Sequence, residues 1–216
     1  MKTRIKKSVF FSAWALALVL VIAACSTDKL DEITPYSEKS VERLLADDDD
    51  VDLKSGSSLQ NRILAEIRRA TAKYQRFEAA VADGFMLMPG CVEHPEFGAM
   101  GYHAVKRDRI VPFVVPAEPP VLVYELTSNG RYRLVAAEYI VPAGPWDASN
   151  DGPPMLGEVE FDDHREMKEI INEAGEIELV NAKGGPAFPH YQLHVWVWKN
   201  NPLGMYFPFN PNVTCN

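Results

Sequence analysis

Two hydrophobic runs joined by a turn constrain the fold of this chain more than any other feature. The first run spans 121–126 and the second spans 131–141, and both are rich in β-branched and aromatic residues. Asn129-Gly130 lies between them, and this dipeptide is common in the tight turns of β-hairpins. The pattern predicts a long antiparallel hairpin, and therefore a β-sheet at the centre of the domain.

Glu125 and Glu138 interrupt the two apolar strands. With Ser128 opposite Arg131, steps of two residues place both glutamates on one face of the hairpin. A buried glutamate is costly unless it is paired or bound to a ligand. Two interpretations stay open: the face holds a ligand, or it is the solvated side of the sheet, where Glu125 pairs with Arg131 or Arg133.

A helical pattern precedes the hairpin and ends at Asp83-Gly84, where glycine favours termination. The residues between it and the C-terminus are rich in proline, glycine and aromatic residues, which favours strands and loops. The expected fold class is α+β: one N-terminal amphipathic helix packed on a mainly antiparallel β-sheet or partly open barrel. Apolar residues recur at helical spacing at Leu59, Ile63, Ile67, Ala70, Tyr74, Phe77 and Val81.

The C-terminal half contains three further predicted elements. A strand is expected near 158–161, a short polar helix near 164–173, and a strong strand over 191–199. Alternation along the last strand places His190, His194, Trp196 and Trp198 on one face. Residues four apart on a strand are ~13 Å apart, so at most one of the two histidines joins a given centre. His194 is the better candidate because it lies within the strand.

His94 and His103 lie in a glycine-rich segment before the hairpin. A site made of His103 and His194 with Glu125 or Glu138 would offer the nitrogen and oxygen ligands that zinc, iron or manganese accept. The chain has no His-x-His, His-Glu-x-x-His or Cys-x-x-Cys motif. Structural histidines with ordinary hydrogen bonds are therefore the alternative.

The N-terminus predicts export and lipid anchoring. Four basic residues precede an apolar run that ends in Ile22-Ala23-Ala24-Cys25. This order is typical of a bacterial lipoprotein signal peptide over 1–24, with Cys25 acylated (palmitate) as the mature N-terminus. The alternatives are an ordinary secretory signal and an uncleaved anchor, although the run is short for a membrane span. The expected location is the cell envelope, with the outer membrane favoured in a Gram-negative cell.

Residues 25–58 are acidic and polar, and they predict a disordered tether. The chain carries a net charge of −8, and removal of residues 1–24, with four basic and no acidic residues, leaves −12. Such a charge argues against nucleic acid as a partner, so the expected partner is the membrane, through the lipid alone. Residues 59–216 are expected to form a single globular domain.

The cysteine count predicts a disulfide. With Cys25 acylated, Cys91 and Cys215 remain as an even pair in an oxidising compartment. Two separate buried thiols are the alternative. A nucleophilic role is less favoured, because the chain lacks a Gly-x-Ser-x-Gly motif and an oxidised Cys91 cannot attack a substrate.

Several segments in order resemble an uncharacterised family of exported bacterial proteins. They are Gly98-Ala99-Met100-Gly101-Tyr102-His103, Tyr124-Glu125, Glu138-Tyr139-Ile140-Val141-Pro142 and Leu193-His194-Val195-Trp196, followed by the C-terminal segment that ends in Cys215. The resemblance implies that Cys91, His103, Glu125, His194 and Cys215 are family features. It implies no reaction.

Three functions follow from these observations. The favoured one is an envelope module that binds a small ligand or metal ion. The second is a metal-dependent, hydrolase-like enzyme with a glutamate as general base. The third is an interaction lipoprotein without a small-molecule site, which would use exposed aromatic side chains, namely Trp196, Trp198, Tyr206 and Phe207.

Overall fold

The structure is a computed structural model that describes residues 48–215, with side chains from residue 58 onward. The expected signal peptide, the lipidation site Cys25 and the tether up to residue 47 lie outside the described residues. Within the described part, no helix combines the length and hydropathy that a membrane crossing requires. The helices are α1 (Asp48–Thr71), a 3-10 turn (Ala72–Gln75), α2 (Phe77–Ala82), a 3-10 turn (Arg107–Arg109) and α3 (Ala143–Asp147).

The helical region differs from the single helix expected over 59–83. It begins at Asp48, so residues 48–58 of the expected tether are helical, and it is broken at Arg76, which is extended. The break has a tertiary cause. The carbonyl oxygen of Tyr74 accepts a 2.9 Å hydrogen bond from the Tyr124 hydroxyl instead of a helical N–H. The helical region still ends at Ala82, before Gly84 at φ +90°.

The strands form one seven-stranded antiparallel sheet and two small two-stranded sheets. The strands are β1 (Met86–Leu87), β2 (Val92–His94), β3 (Gly98–Val105), β4 (Val121–Leu126), β5 (Tyr132–Pro142), β6 (Met155–Leu156), β7 (Val159–Glu160), β8 (Asp162–His164), β9 (Met167–Ile171), β10 (Ile177–Asn181) and β11 (His190–Val195). The order in the large sheet is β1-β3-β4-β5-β11-β8, and β2 also pairs with β3. Among the described residues the outer strands of this sheet do not pair with each other, so the sheet is open and is not a barrel.

The predicted hairpin is formed by β4 and β5, with a register that the turn alone does not predict. The loop is one residue longer than the expected two-residue turn, and Glu125 pairs with Arg133 rather than Leu134. An irregularity at Val135 restores the register, because Val123 pairs with Ala136 and Val121 with Glu138. This bulge keeps Glu138 on the face of Glu125, since a slip of one residue reverses every side chain.

Two other predictions in the C-terminal half are wrong. Residues 164–173, expected as a polar helix, instead form the end of β8 and all of β9, because β9 pairs with β10, which lies outside the predicted segment. The last strand ends at Val195 instead of continuing to residue 199. The chain turns there, and the backbone N–H of Trp196 donates to Met205 while the indole of Trp198 donates to Thr71.

The sheet has a packed layer on each face. Ile67 of α1 and Tyr74 of the following 3-10 turn are buried against one face, together with Leu122, Tyr139 and Leu193. Leu59 and Val81 of the predicted apolar stripe are instead 42% and 51% exposed. The other face carries Val123, Ala136 and Trp196, and Val213 of the C-terminal segment packs on them.

A disulfide fastens the C-terminal segment to the rest of the domain. Cys91 and Cys215 are joined, with their Cα atoms 5.6 Å apart, as the cysteine count predicts. Backbone hydrogen bonds between Ala99 and Asn210 hold the segment against β3. Trp196 is 2% exposed, and its indole donates to the Phe207 carbonyl, so this aromatic residue belongs to the core.

Candidate functional site

Three strands bring His103, Glu138 and His194 together on the face that the C-terminal segment covers in part. Glu138 of β5 is the direct cross-strand partner of His194 of β11. On its other side, Glu138 lies across from Val121 of β4, and His103 of β3 lies across from Val123. The His103 and Glu138 side chains therefore approach each other beside their cross-strand partners Val123 and Val121.

The three side chains form a compact cluster. The His103 Nε2 atom is 3.4 Å from Glu138 Oε2, and the His194 Nε2 atom is 3.8 Å from the same oxygen. One ligand atom from each residue lies within 4.8 Å of the other two. Glu138 and His194 are almost fully buried, whereas the His103 side chain is 16% exposed. The cluster therefore has one side near solvent.

Two atoms of the cluster are buried without a hydrogen bond. Among the described side chains, Glu138 Oε2 and His194 Nε2 have no hydrogen-bond partner and are shielded from solvent. Distances of 3.4 and 3.8 Å are too long for good hydrogen bonds. A buried carboxyl oxygen without a partner costs free energy. The geometry thus points two unsatisfied atoms at a common space.

Burial determines the charges of the cluster. Loss of hydration raises the pKa of Glu138 to about 8 and lowers the pKa of His103 to about 4, where a hydrogen bond with the Gly101 backbone opposes part of the shift. Burial also holds the pKa of His194 well below its ordinary value, and the neighbouring His103 and His164 lower it further. At neutral pH the three groups are therefore all uncharged when no cation is present.

The cluster has the donor atoms and spacing of a transition-metal site. Ligand atoms at about 2.0–2.1 Å from a tetrahedral ion lie about 3.3 Å from one another. The distances between the three ligand atoms of the cluster would therefore have to shorten on ion binding, by amounts from tenths of an ångström to about 1.5 Å. Two imidazole nitrogens and one carboxylate oxygen suit zinc, iron and manganese. Three protein ligands also leave a coordination position open for a water molecule or another small ligand.

Two glycines position His103. A side chain at Gly98 would meet the Asn210 carbonyl oxygen at 2.4 Å, and one at Gly101 would meet the Tyr124 carbonyl oxygen at 2.4 Å. Both residues also have positive φ, at +82° and +115°. Glycine is required because it alone tolerates both the backbone angle and the close approach. The Gly-x-Met-Gly-x-His segment thus brings β3 close to its neighbours.

Glu125 does not join the cluster, although it was one of the two predicted acidic ligands. Its Oε1 atom accepts hydrogen bonds from the Arg133 guanidinium, and its Oε2 atom accepts one from the Lys199 ammonium. The pairing with Arg133 agrees with the alternative interpretation of Glu125 as an ion-pair member. Lys199 was not anticipated, because it lies 74 residues away in the chain.

The remaining histidines have other partners. His190 shares the face of His194, but its Nδ1 lies 2.7 Å from the Phe188 carbonyl oxygen and its Nε2 lies 3.2 Å from Gln192 Oε1. His94 stacks on Phe97 with ring centroids 4.5 Å apart. His190 therefore lies outside the cluster that contains His194.

Comparisons of the chain with protein families, with curated proteins and with solved structures found no match. The resemblance to exported bacterial proteins accordingly stays an expectation, and the function is argued from the site alone.

Proposed function

We propose that this domain binds a divalent transition-metal ion through His103, Glu138 and His194. The observation that carries the proposal is the pair of buried, unpartnered atoms Glu138 Oε2 and His194 Nε2, which face each other. A cation between them would satisfy both atoms at once. It would also stabilise the ionised carboxylate, which burial otherwise disfavours.

A purely structural role for His194 does not explain why it and Glu138 are buried with atoms that lack hydrogen-bond partners among the described residues. A histidine kept for stability ordinarily has a hydrogen-bond partner, as His190 does in the same strand. His194 lacks one at Nε2 and is opposite a carboxyl that lacks one as well. Two such groups in direct cross-strand register would destabilise a sheet that had no ligand for them.

The ion would be zinc, iron or manganese. The donor set of two imidazoles and one carboxylate occurs in catalytic zinc sites and in non-haem iron sites. The cluster has no thiolate donor, because Cys91 and Cys215 are joined to each other. This argues against copper(I), which prefers sulfur.

We further propose that the module acts at the cell envelope, anchored by a lipid on Cys25. The sequence order of basic residues, apolar run and cysteine supports this. The disulfide is compatible with an exported domain. The favoured membrane is the outer membrane of a Gram-negative cell, and no nucleic-acid partner is proposed.

A metal-dependent, hydrolase-like enzyme is the second candidate. The open coordination position and the partial exposure of His103 favour it. Such an enzyme also needs a general base beside the metal. Glu138 is used as a ligand and Glu125 is paired with two cations, so the cluster itself supplies no further glutamate. Binding is therefore the preferred function. The third candidate, an interaction lipoprotein, is less favoured because Trp196 is buried.

Elemental analysis tests the metal proposal. The full-length protein is stripped with a chelator, dialysed against zinc, iron(II) or manganese(II), and analysed for bound metal. We expect one ion per chain for at least one metal. We expect less than about a tenth of that in His194→Ala and His103→Ala, because loss of a ligand lowers affinity by orders of magnitude.

His190→Ala is the matched control. It removes a buried histidine from the same strand and face, but one whose nitrogens are engaged elsewhere. Metal content equal to wild type is expected. Metal-free wild-type protein, or equal loss in His190→Ala and His194→Ala, would contradict the proposal. Circular dichroism of each variant separates metal loss from unfolding.

A further inference from the structure

A pocket separate from the cluster lies near the turn end of the hairpin, beside Glu125 rather than Glu138. Its volume is about 510 Å³, which falls within the range of small-molecule sites. None of the three cluster residues lines it. The lining residues are Gln75, Arg133, Leu134, Val135, Trp198, Lys199 and Asn200.

Two cations line this pocket and are held in place by one carboxylate. Arg133 contacts Glu125 Oε1 through Nε and Nη2, and Lys199 contacts Oε2 through Nζ. Glu125 itself is only 6% exposed. Arg133, Lys199 and Glu125 together carry a net charge of +1. The Nη1 group of Arg133 and two of the three Lys199 N–H bonds are not used by Glu125. These donors are available to a ligand.

The rest of the lining supplies neutral polar groups and an aromatic wall. The side-chain amides of Gln75 and Asn200 make no hydrogen bond to another described residue. Trp198 is fixed because its indole N–H donates to Thr71 Oγ1 at 2.9 Å. A tryptophan fixed in the lining beside two cations suits a ligand with a flat apolar body and a negative group.

We propose that this pocket binds a small organic monoanion. The carboxylate of the ligand would contact Arg133 and Lys199, and its planar body would lie against Trp198. Glu125 is then a positioning residue, since it holds the two cations side by side without touching the ligand. A single negative charge matches the net charge of +1, and the amides of Gln75 and Asn200 would bind polar substituents. This site is independent of the proposed metal centre.

Titration with benzoate tests the proposal. Benzoate is a flat monoanion, and benzamide is its neutral analogue of the same shape. Binding to the full-length protein is measured by calorimetry and by the indole N–H resonance of Trp198, with a chelator present so that benzoate cannot bind a metal. We expect a dissociation constant of about 1 mM for benzoate and binding at least about tenfold weaker for benzamide, as a small ligand with two ionic contacts allows.

Arg133→Gln and Lys199→Gln are each expected to weaken benzoate binding about tenfold, because each removes one charged contact. Arg131→Gln is the matched control, since Arg131 lies two residues from Arg133 in the hairpin but does not line the pocket. It should bind as wild type does, as should His194→Ala.

The proposal would be overturned by no binding of benzoate, by equal binding of benzamide, or by equal weakening in Arg131→Gln. Arg133 is 59% exposed, so Arg133→Gln is expected to fold even if Lys199→Gln does not. Weakened benzoate binding in His194→Ala would place the anion at the cluster of His103, Glu138 and His194 instead, and would also contradict this pocket.

Discussion

Glu125 and Glu138 lie on the same face of one hairpin, and both are buried, yet their surroundings are opposite. Glu125 is 6% exposed and Glu138 is 3% exposed. Glu125 lies near the turn, where two cations reach its two oxygens. Glu138 lies thirteen residues later, between two neutral imidazoles, and its Oε2 atom has no hydrogen-bond partner among the described residues.

The difference shows that partners, rather than burial, decide what a buried carboxylate does. Glu125 accepts hydrogen bonds from two cationic side chains, so it positions Arg133 and Lys199. Glu138 has its pKa raised to about 8, because burial is not compensated by a positive charge. A buried carboxyl that has no positive charge beside it in the protein is the group that a metal cation would bind.

Replacement of each glutamate by glutamine gives the largest expected contrast. Glu138→Gln removes the anionic ligand, and we expect metal affinity to fall by about a hundredfold or more. Glu125→Gln leaves the cluster intact, and its affinity should stay within about threefold of wild type. Calorimetric titration of both variants with zinc measures this. Equal losses would show that the two glutamates do not differ in role.

The metal affinity of the wild-type protein should depend on pH through Glu138. The carboxyl must lose its proton before it binds an ion, so each pH unit below its pKa of about 8 weakens binding about tenfold. From about pH 6 to pH 8 the apparent affinity should rise about fiftyfold, since His103 with a pKa of about 4 stays neutral throughout. Zinc titrations at a series of pH values measure the slope. A flat profile would contradict the uncharged state of Glu138.

The stability of the metal-free protein should fall as pH rises from 6.5 to 8. In this window Glu138 keeps its proton in the folded state but loses it in the unfolded state, where its pKa is near 4.5. Stability is therefore lost at about 1.4 kcal/mol per pH unit, or about 2 kcal/mol over the window. Below pH 6.5 the lowered pKa of His103 acts with the opposite sign and offsets this trend.

Urea unfolding at several pH values in the presence of a chelator measures this slope. Glu138→Gln has no proton to lose, so its stability should change less over the same window. The difference in slope between wild type and Glu138→Gln gives the contribution of Glu138, because surface groups contribute to both proteins alike. An identical slope in wild type and Glu138→Gln would rule out the raised pKa.

The smallest expected effect is on stability near neutral pH. Glu125→Gln loses a charged partner of Arg133 and Lys199 and should be destabilised by about 1 kcal/mol, a modest value because Arg133 is largely exposed. Glu138→Gln should be as stable as the metal-free wild type or more stable, since it removes a carboxyl that burial disfavours. Thermal unfolding of both variants compares them. Destabilisation of Glu138→Gln beyond that of Glu125→Gln would reverse the comparison.

Local patterns predicted the elements that depend on local physics. The strand over 121–126, the end of the helical region before Gly84 and the pairing of the two remaining cysteines all agree with the structure. The mainly antiparallel sheet also agrees. The polar helix over 164–173 was wrong, because charged residues suit the exposed ribbon of β9 and β10 as well as they suit a helix.

The sequence by itself predicts four candidate site residues and favours His194 over His190. The four are His103, Glu125, Glu138 and His194. The sequence had no means to choose between Glu125 and Glu138, because alternation places both on one face. Tertiary structure decided the choice. The pairing of β5 with β11 sets Glu138 directly across from His194, while the chain beyond β11 carries Lys199 to Glu125. Register and long-range contacts of this kind depend on the packed sheet, which no local pattern encodes.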